Sequence, residues 1–185
     1  GLIRWDLAKR LPFDGHTDRV RSVALSPDGT QLITTGFDRR ILLWDAGTGE
    51  YQGELPSPHE RSIIQVAYSP DGKKLATIDA GNMVVIWDMV RRTTLHAPIV
   101  LPGETVLIGL AFSPDGRYVA NGDFLGTITI LDTTSGEPLC AREKAHDGWA
   151  LTLAYAPDGK TLASGGTDST IRLWDMEKVT QACME

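Results

Sequence analysis

An all-β fold of stacked, four-stranded antiparallel sheets is what this 185-residue sequence predicts, and three observations predict it. A turn signal recurs as Ser26-Pro27-Asp28-Gly29, Ser69-Pro70-Asp71-Gly72, Ser113-Pro114-Asp115-Gly116 and Ala156-Pro157-Asp158-Gly159, at steps of 43, 44 and 43 residues. A second marker, Trp-Asp closing an apolar run, stands at Trp5-Asp6, Trp44-Asp45, Trp87-Asp88 and Trp174-Asp175, with Leu131-Asp132 in the slot between the last two. Between the markers the apolar runs are short and bounded by turn residues, as strands are and helices are not. A repeat of this length covering nearly the whole chain outranks any local propensity in setting the fold.

Each unit reads the same way from its first residue to its last. Val23-Ala24-Leu25, Val66-Ala67-Tyr68, Leu110-Ala111-Phe112 and Leu153-Ala154-Tyr155 are apolar runs leading into the turn, as expected of a strand covered on both faces. Alanine takes the middle place each time, so one face offers only a methyl group where a neighbouring sheet crowds in. In the turn, proline pre-sets φ, the aspartate bonds local backbone and glycine accepts a positive φ. A second strand follows from Gln31, Lys74, Tyr118 or Thr161, then a polar turn and the run ending in Trp-Asp. Gly47-Thr48-Gly49 and Ser135-Gly136 break the chain before an outer strand near Glu50 to Leu55 or Glu137 to Ala141. Such a unit cannot bury both of its faces alone. Radial stacking around an axis solves this with only short protected edges, which is the β-propeller arrangement. The expected layout is the outer strands of an incomplete blade at 1–14, blades at 15–57, 58–101 and 102–144, a blade without its outer strand at 145–176, and a tail at 177–185.

Composition narrows the function. With 42% hydrophobic and 23% charged residues the chain has a globular balance. Its 18 basic against 24 acidic side chains give a net charge of −6, and with no basic run a phosphate-tracking nucleic-acid surface is not expected. No apolar stretch of about 18 residues would span a membrane. The start, Gly1 to Asp6, lacks the charged and apolar regions of a secretory signal, so the chain reads as cytoplasmic. Cys140 and Cys183 are too few for a disulfide framework or a thiolate zinc site and are expected to be free thiols.

Period, turn motif, Trp-Asp ending and an upstream histidine in register together resemble the WD-repeat (WD40) β-propeller family over residues 1 to 175, a bacterial-type propeller or the C-terminal part of one. The resemblance implies about four four-stranded blades, a half ring or a fragment of a larger propeller. It also implies a buried tetrad in each blade: a histidine before the inner strand, a hydroxyl on the second strand, an aspartate in the next turn and the Trp-Asp tryptophan. Counting along each unit assigns full tetrads to His16, Thr34, Asp38 and Trp44 and to His146, Ser164, Asp168 and Trp174. The second unit reads as partial, with His59, Thr77 and Trp87 but Gly81 in the acid slot, and the third has Gly103, Asn121, Leu125 and Leu131 instead. The third blade is therefore expected to rely on packing alone and to be the softest.

Several patterns imitate chemistry. The His, Thr or Ser, and Asp of the full tetrads are the residue types of a hydrolytic triad, but copies at a structural period, each ending in tryptophan, read as struts. No catalytic residue is assigned. Gly159-Lys160-Thr161 lacks the upstream glycine and the helix of a phosphate loop. The four histidines are dispersed over different units, so neither metal nor cofactor is expected.

Function then belongs to side chains that project from the ends of the blades. Three residues past the histidine slot stand Arg19 and Trp149, and just before the acid slot stand Phe37 and Phe124. Large aromatics and arginine anchor protein interfaces, and these four are the candidate partner-binding residues. The leading reading is a non-enzymatic scaffold presenting its top face to protein partners. The alternatives are a sensor or ligand-recognition arc of a bacterial multidomain signalling NTPase and, disfavoured, a propeller hydrolase or lactonase. The unpaired strand near Lys9 to Phe13 adds one further expectation: two copies, head to tail, could form a homodimer closing about eight blades.

Overall fold

The computed structural model describes residues 15–103 and 105–182, so the strand pair expected at residues 2 to 13, and Cys183, lie outside the described residues. The chain folds as four stacked antiparallel sheets, the blades of a propeller. The first blade is β1 (Val20–Leu25), β2 (Gln31–Gly36), β3 (Ile41–Asp45) and β4 (Tyr51–Leu55), side by side in that order. The second holds β5 (Ile63–Tyr68), β6 (Lys74–Asp79) and β7 (Met83–Asp88), and its outer position is split between the two-residue strands β8 (Thr93–Thr94) and β9 (Ile99–Val100), both on β7. The third is β10 (Leu107–Phe112), β11 (Tyr118–Asp123), β12 (Ile128–Asp132) and β13 (Pro138–Arg142). The fourth is the three-stranded sheet β14 (Ala150–Tyr155), β15 (Thr161–Gly166) and β16 (Ile171–Asp175).

Local chemistry closes each turn. In the first, Gly29 N–H donates to the Ser26 carbonyl at 2.8 Å, Ser26 Oγ donates to Asp28 Oδ1 at 2.6 Å, and Thr30 N–H reaches the same oxygen at 3.0 Å. Gly29, Gly72, Gly116 and Gly159 take φ of 73°, 69°, 68° and 71°, the left-handed region that a side chain would penalise. Every inner strand also breaks register near its start, at Val20/Ser22, Ile63/Gln65, Leu107/Gly109 and Ala150/Thr152. An irregularity repeated at one place in every blade is a feature of the unit.

The core is not inside any sheet; it lies between sheets. Ile33, Ile41 and Leu43 of the first blade pack on Val66, Leu75 and Trp87 of the second. Ile78, Val84 and Ile86 of the second meet Leu110, Val119 and Leu131 of the third, and Ile128 and Ile130 of the third meet Leu153, Leu162 and Trp174 of the fourth. The seam alanines sit where the neighbouring sheet is close: Ala24, Ala67 and Ala111 each pack into one of these clusters. Each fully buried aliphatic side chain here stabilises by about 2 kcal/mol. The series ends at the fourth blade, where Ile171 is 80% and Leu173 72% exposed, although their counterparts Ile41 and Leu43 are fully buried.

Two expectations differ from the structure. The segment read as a tail forms a helix, α1 (Met176–Ala182). Asp175 caps it, Oδ1 accepting the amides of Glu177 at 3.1 Å and Lys178 at 3.3 Å. The aspartate of Trp-Asp plays a similar part in the first blade, where Asp45 Oδ1 accepts the amides of Gly47 and Thr48. The chain continues from this cap as a helix, with Met176 and Val179 packed in the seam between the third and fourth blades. Cys140, on β13, is disulfide-bonded and not a free thiol.

Candidate functional site

In the first blade His16 Nδ1 lies 2.8 Å from Asp38 Oδ2 and Nε2 lies 2.7 Å from Thr34 Oγ1, which also accepts Trp44 Nε1–H at 2.8 Å. In the fourth, His146 Nδ1 lies 3.0 Å from Asp168 Oδ1, Nε2 lies 2.8 Å from Ser164 Oγ, and Trp174 Nε1–H donates to that oxygen at 2.9 Å. Donor counting orders the chain. The indole can only donate, so the hydroxyl accepts from it and gives its own hydrogen to Nε2. A neutral imidazole then carries its proton on Nδ1 and donates to the carboxylate.

The second blade departs from the expectation of a missing acid. His59 Nδ1 lies 3.0 Å from Asp79 Oδ2, Nε2 lies 2.7 Å from Thr77 Oγ1, and Trp87 Nε1–H donates to Thr77 Oγ1 at 3.0 Å. The acid comes from the last residue of β6, two positions before Gly81, and its other oxygen accepts the amides of Gly81 and Met83 at 2.8 and 3.1 Å. A fixed offset from the tryptophan missed it; an acid at the strand end before a glycine-containing turn was the available signal. In the third blade Asp123 has the same place and accepts the amides of Leu125 and Thr127, with Gly103 in the histidine slot. Asn121 there is buried with neither end of its amide partnered among the described residues.

Burial works against ionisation of Asp79. The bonds from His59 and the amides of Gly81 and Met83 outweigh it, holding the carboxyl below the usual carboxylate range. Asp38 and Asp168 are lowered in the same way. Burial opposes the Thr17 amide and His16 at Asp38, and opposes Thr170 and His146 at Asp168. The hydroxyls are spent on the imidazoles and indoles and the carboxylates on the imidazoles and backbone amides, inside the blades, where Thr34, Thr77 and Ser164 are all buried. Among the described residues no three His, Cys, Asp or Glu side chains converge as metal ligands would, and no helix is long and apolar enough to cross a membrane.

The exposed candidates stand above this framework on one rim. Backbone bonds pair the two rim positions of every blade: Phe37 N–H to Arg19 O at 3.0 Å, Ala80 N–H to Ser62 O at 3.0 Å, Phe124 N–H to Val106 O at 3.1 Å and Thr167 N–H to Trp149 O at 3.0 Å. Arg19 and Phe37 are thus neighbours on the first blade. Phe124 and Trp149 belong to adjacent blades and stack face to face, centroids 4.1 Å apart and planes 9° from parallel. Trp149 remains 45% exposed, and its own amide is fixed by Thr167 Oγ1 at 2.8 Å. Sequence reasoning named both rings without pairing them, since contact across a seam is invisible to a count within one unit. It passed over Leu125, which is exposed beside Phe124, and Arg61.

Four sheets packed face to face, three of them tied by a His–Asp–hydroxyl–Trp network, define a repeat propeller. The family model of the WD domain, G-beta repeat, matches residues 8–45, 49–88 and 138–175, more than half of the chain, and the chain belongs to that family. Each match opens ahead of an inner strand: the second takes in β4 before the second blade, and the third takes in β13 before the fourth. Among curated proteins it is similar to "Probable cytosolic iron-sulfur protein assembly protein Ciao1" of Culex quinquefasciatus, 40% identical over 52 residues, 28% of this chain and 15% of that protein. It is also similar to protein groucho of Drosophila melanogaster, 40% identical over 48 residues, 24% of this chain and 7% of that protein. Small ribosomal subunit protein RACK1 of Candida albicans is 34% identical over 58 residues, 26% of this chain and 18% of that protein. The aligned part of this chain therefore spans less than a fifth of each of these relatives' lengths.

Proposed function

We propose that the protein is a non-enzymatic interaction scaffold whose blade rim, with Trp149, Phe124, Phe37 and Arg19, holds protein partners. The observation that carries this reading is the Phe124–Trp149 stack. It is a half-exposed aromatic platform across a blade seam, fixed by backbone bonds at both of its residues. A platform ordered before binding loses little conformational freedom on docking, and tryptophan is the residue most enriched among interface anchors. The test is affinity capture by the wild-type chain and by Trp149→Ala. The variant should lose most of the captured partner with an unchanged thermal midpoint; equal capture by both ends the reading.

Two finer statements belong to the same proposal. One partner is a second copy of the chain, supported by the bare apolar face of the fourth blade and by the half-exposed Val20, Val23 and Leu25 on β1. The location is the cytoplasm, supported by the relative named as a cytosolic assembly protein. The disulfide at Cys140 weighs the other way, since cytosolic thiols are kept reduced; fractionation of expressing cells decides between them.

A further inference from the structure

The fourth blade is the least secured of the four. Among the described residues it has three strands where the others fill an outer position, a neighbour on one side, and Ile171 and Leu173 bare on the other. Its one closed seam, against the third blade, is held at the rim by His146 N–H donating to the Gly126 carbonyl at 3.1 Å and by the Phe124–Trp149 stack. Further along the seam Met176 and Val179 of α1 pack with Ile128, Ile130 and Cys140 of the third blade. Seven residues are too few for a helix to persist without tertiary support, so α1 is as stable as its docking. Cys140, on β13, is disulfide-bonded and is the one cysteine among the described residues. The sequence holds one other, Cys183, directly after the last residue of α1.

We propose that the bridge joins Cys140 to Cys183 and is a redox clasp. Closed, it fastens the fourth blade and α1 to the third and keeps the Phe124–Trp149 platform assembled; open, it lets the fourth blade part from the seam. The loop it closes is one repeat long, with β14, β15 and β16 all inside it. Cross-linking the two ends of such a loop removes much of the freedom that its blade gains on undocking. The clasp therefore acts on one blade and leaves the first two as they are. Opening takes a dithiol reductant. One of its thiolates attacks a bridge sulfur and breaks the S–S bond; its second thiol then displaces the mixed disulfide, so the chain is left with two thiols and the reductant becomes a disulfide. Arg142 and Lys178 line the seam beside Cys140, and cations next to a sulfur favour its thiolate, which eases opening. In a reducing compartment such bridges are made and broken in use. The inference rests on the rim being the partner surface and adds its regulation.

The experiment compares the 185-residue chain prepared without reductant with the same chain after dithiothreitol. Without reductant, a tryptic digest should yield peptides 118–142 and 179–185 as one linked species that dithiothreitol separates. Reduction should lower the thermal midpoint by about 10 °C. Native-state hydrogen exchange at β14, β15 and β16 should quicken about tenfold, with β2, β3, β6 and β7 unchanged. Cys183→Ser and Cys140→Ser should each match the reduced wild type and ignore dithiothreitol. The partner lost by Trp149→Ala should also be lost on reduction of the wild type. Free thiols before reduction, a Cys140–Cys140 link between two copies, an unmoved midpoint, or exchange that quickens in all blades alike overturns the clasp. If capture falls with Trp149→Ala and is untouched by reduction, the scaffold reading stands and the switch falls. If Trp149→Ala captures as well as the wild type while bridge, midpoint and exchange behave as expected, the platform falls and the clasp stands as a lock on the fourth blade.

Discussion

At the scale of the residue, the three imidazoles are the parts on which most else leans. Each joins a carboxylate in a turn to a hydroxyl in a strand, and through it to an indole, so one ring ties three segments of a blade. Removing the acid strands a buried Nδ1–H. Asp79→Ala should therefore lower stability by about 1–3 kcal/mol, read by thermal or denaturant unfolding; an unchanged midpoint would mean water replaces the carboxylate without loss. The pH dependence has a definite sign. Asp38, Asp79 and Asp168 all have folded values depressed below the ordinary carboxylate value of about 4. Their contribution is present above that value and is lost as pH falls through the lower folded values. The midpoint should hold from pH 7 to about 5 and fall below about 4, and Asp79→Asn should flatten that acid limb.

At the scale of the element, three blades carry the full network and the third does not. There Leu131 fills the tryptophan slot, and Asn121 sits buried with both amide ends unpartnered among the described residues. Its strands are tied by ladder bonds and by apolar seams on both sides. The amides of β11 and β12 should exchange with solvent faster than those of β2, β3, β6 and β7, in a native-state hydrogen-exchange experiment. Equal protection would show that seam packing alone sets local stability. Much at this scale could be read directly from the chain. Turns, inner strands and Trp-Asp strands follow from Pro-Asp-Gly chemistry and from short apolar runs bounded by turn residues, both local. What escaped were features that the repeat pattern does not carry: the acid at Asp79, shifted two residues by a different turn; helix α1, which starts on the Asp175 cap; and the split outer position of the second blade. The Phe124–Trp149 stack belongs with these, because only the stacking of blades brings the two rings together.

At the scale of the whole molecule, sheets bind sheets by one kind of contact used three times. The face that the first blade turns to the second is the face that the fourth turns to solvent, with Ile171 and Leu173 where Ile41 and Leu43 are covered. Large exposed apolar faces are commonly used for association, and the second copy proposed above would offer β1 to this one. Light scattering of the purified chain should give twice the mass of one chain, and Leu173→Glu should return it to a single-chain mass. A single-chain mass for the wild type removes the second copy as a partner while leaving the rim untouched.

In the second and third family matches the covalent unit and the folded unit are offset by one strand, each match taking in the outer strand of one sheet and the inner three of the next. Excising one such unit leaves the preceding sheet its own three inner strands and hands it the rim strand of the unit that follows. Every junction heals as an intact sheet. A whole unit can therefore be added or removed without leaving a broken sheet at the junction.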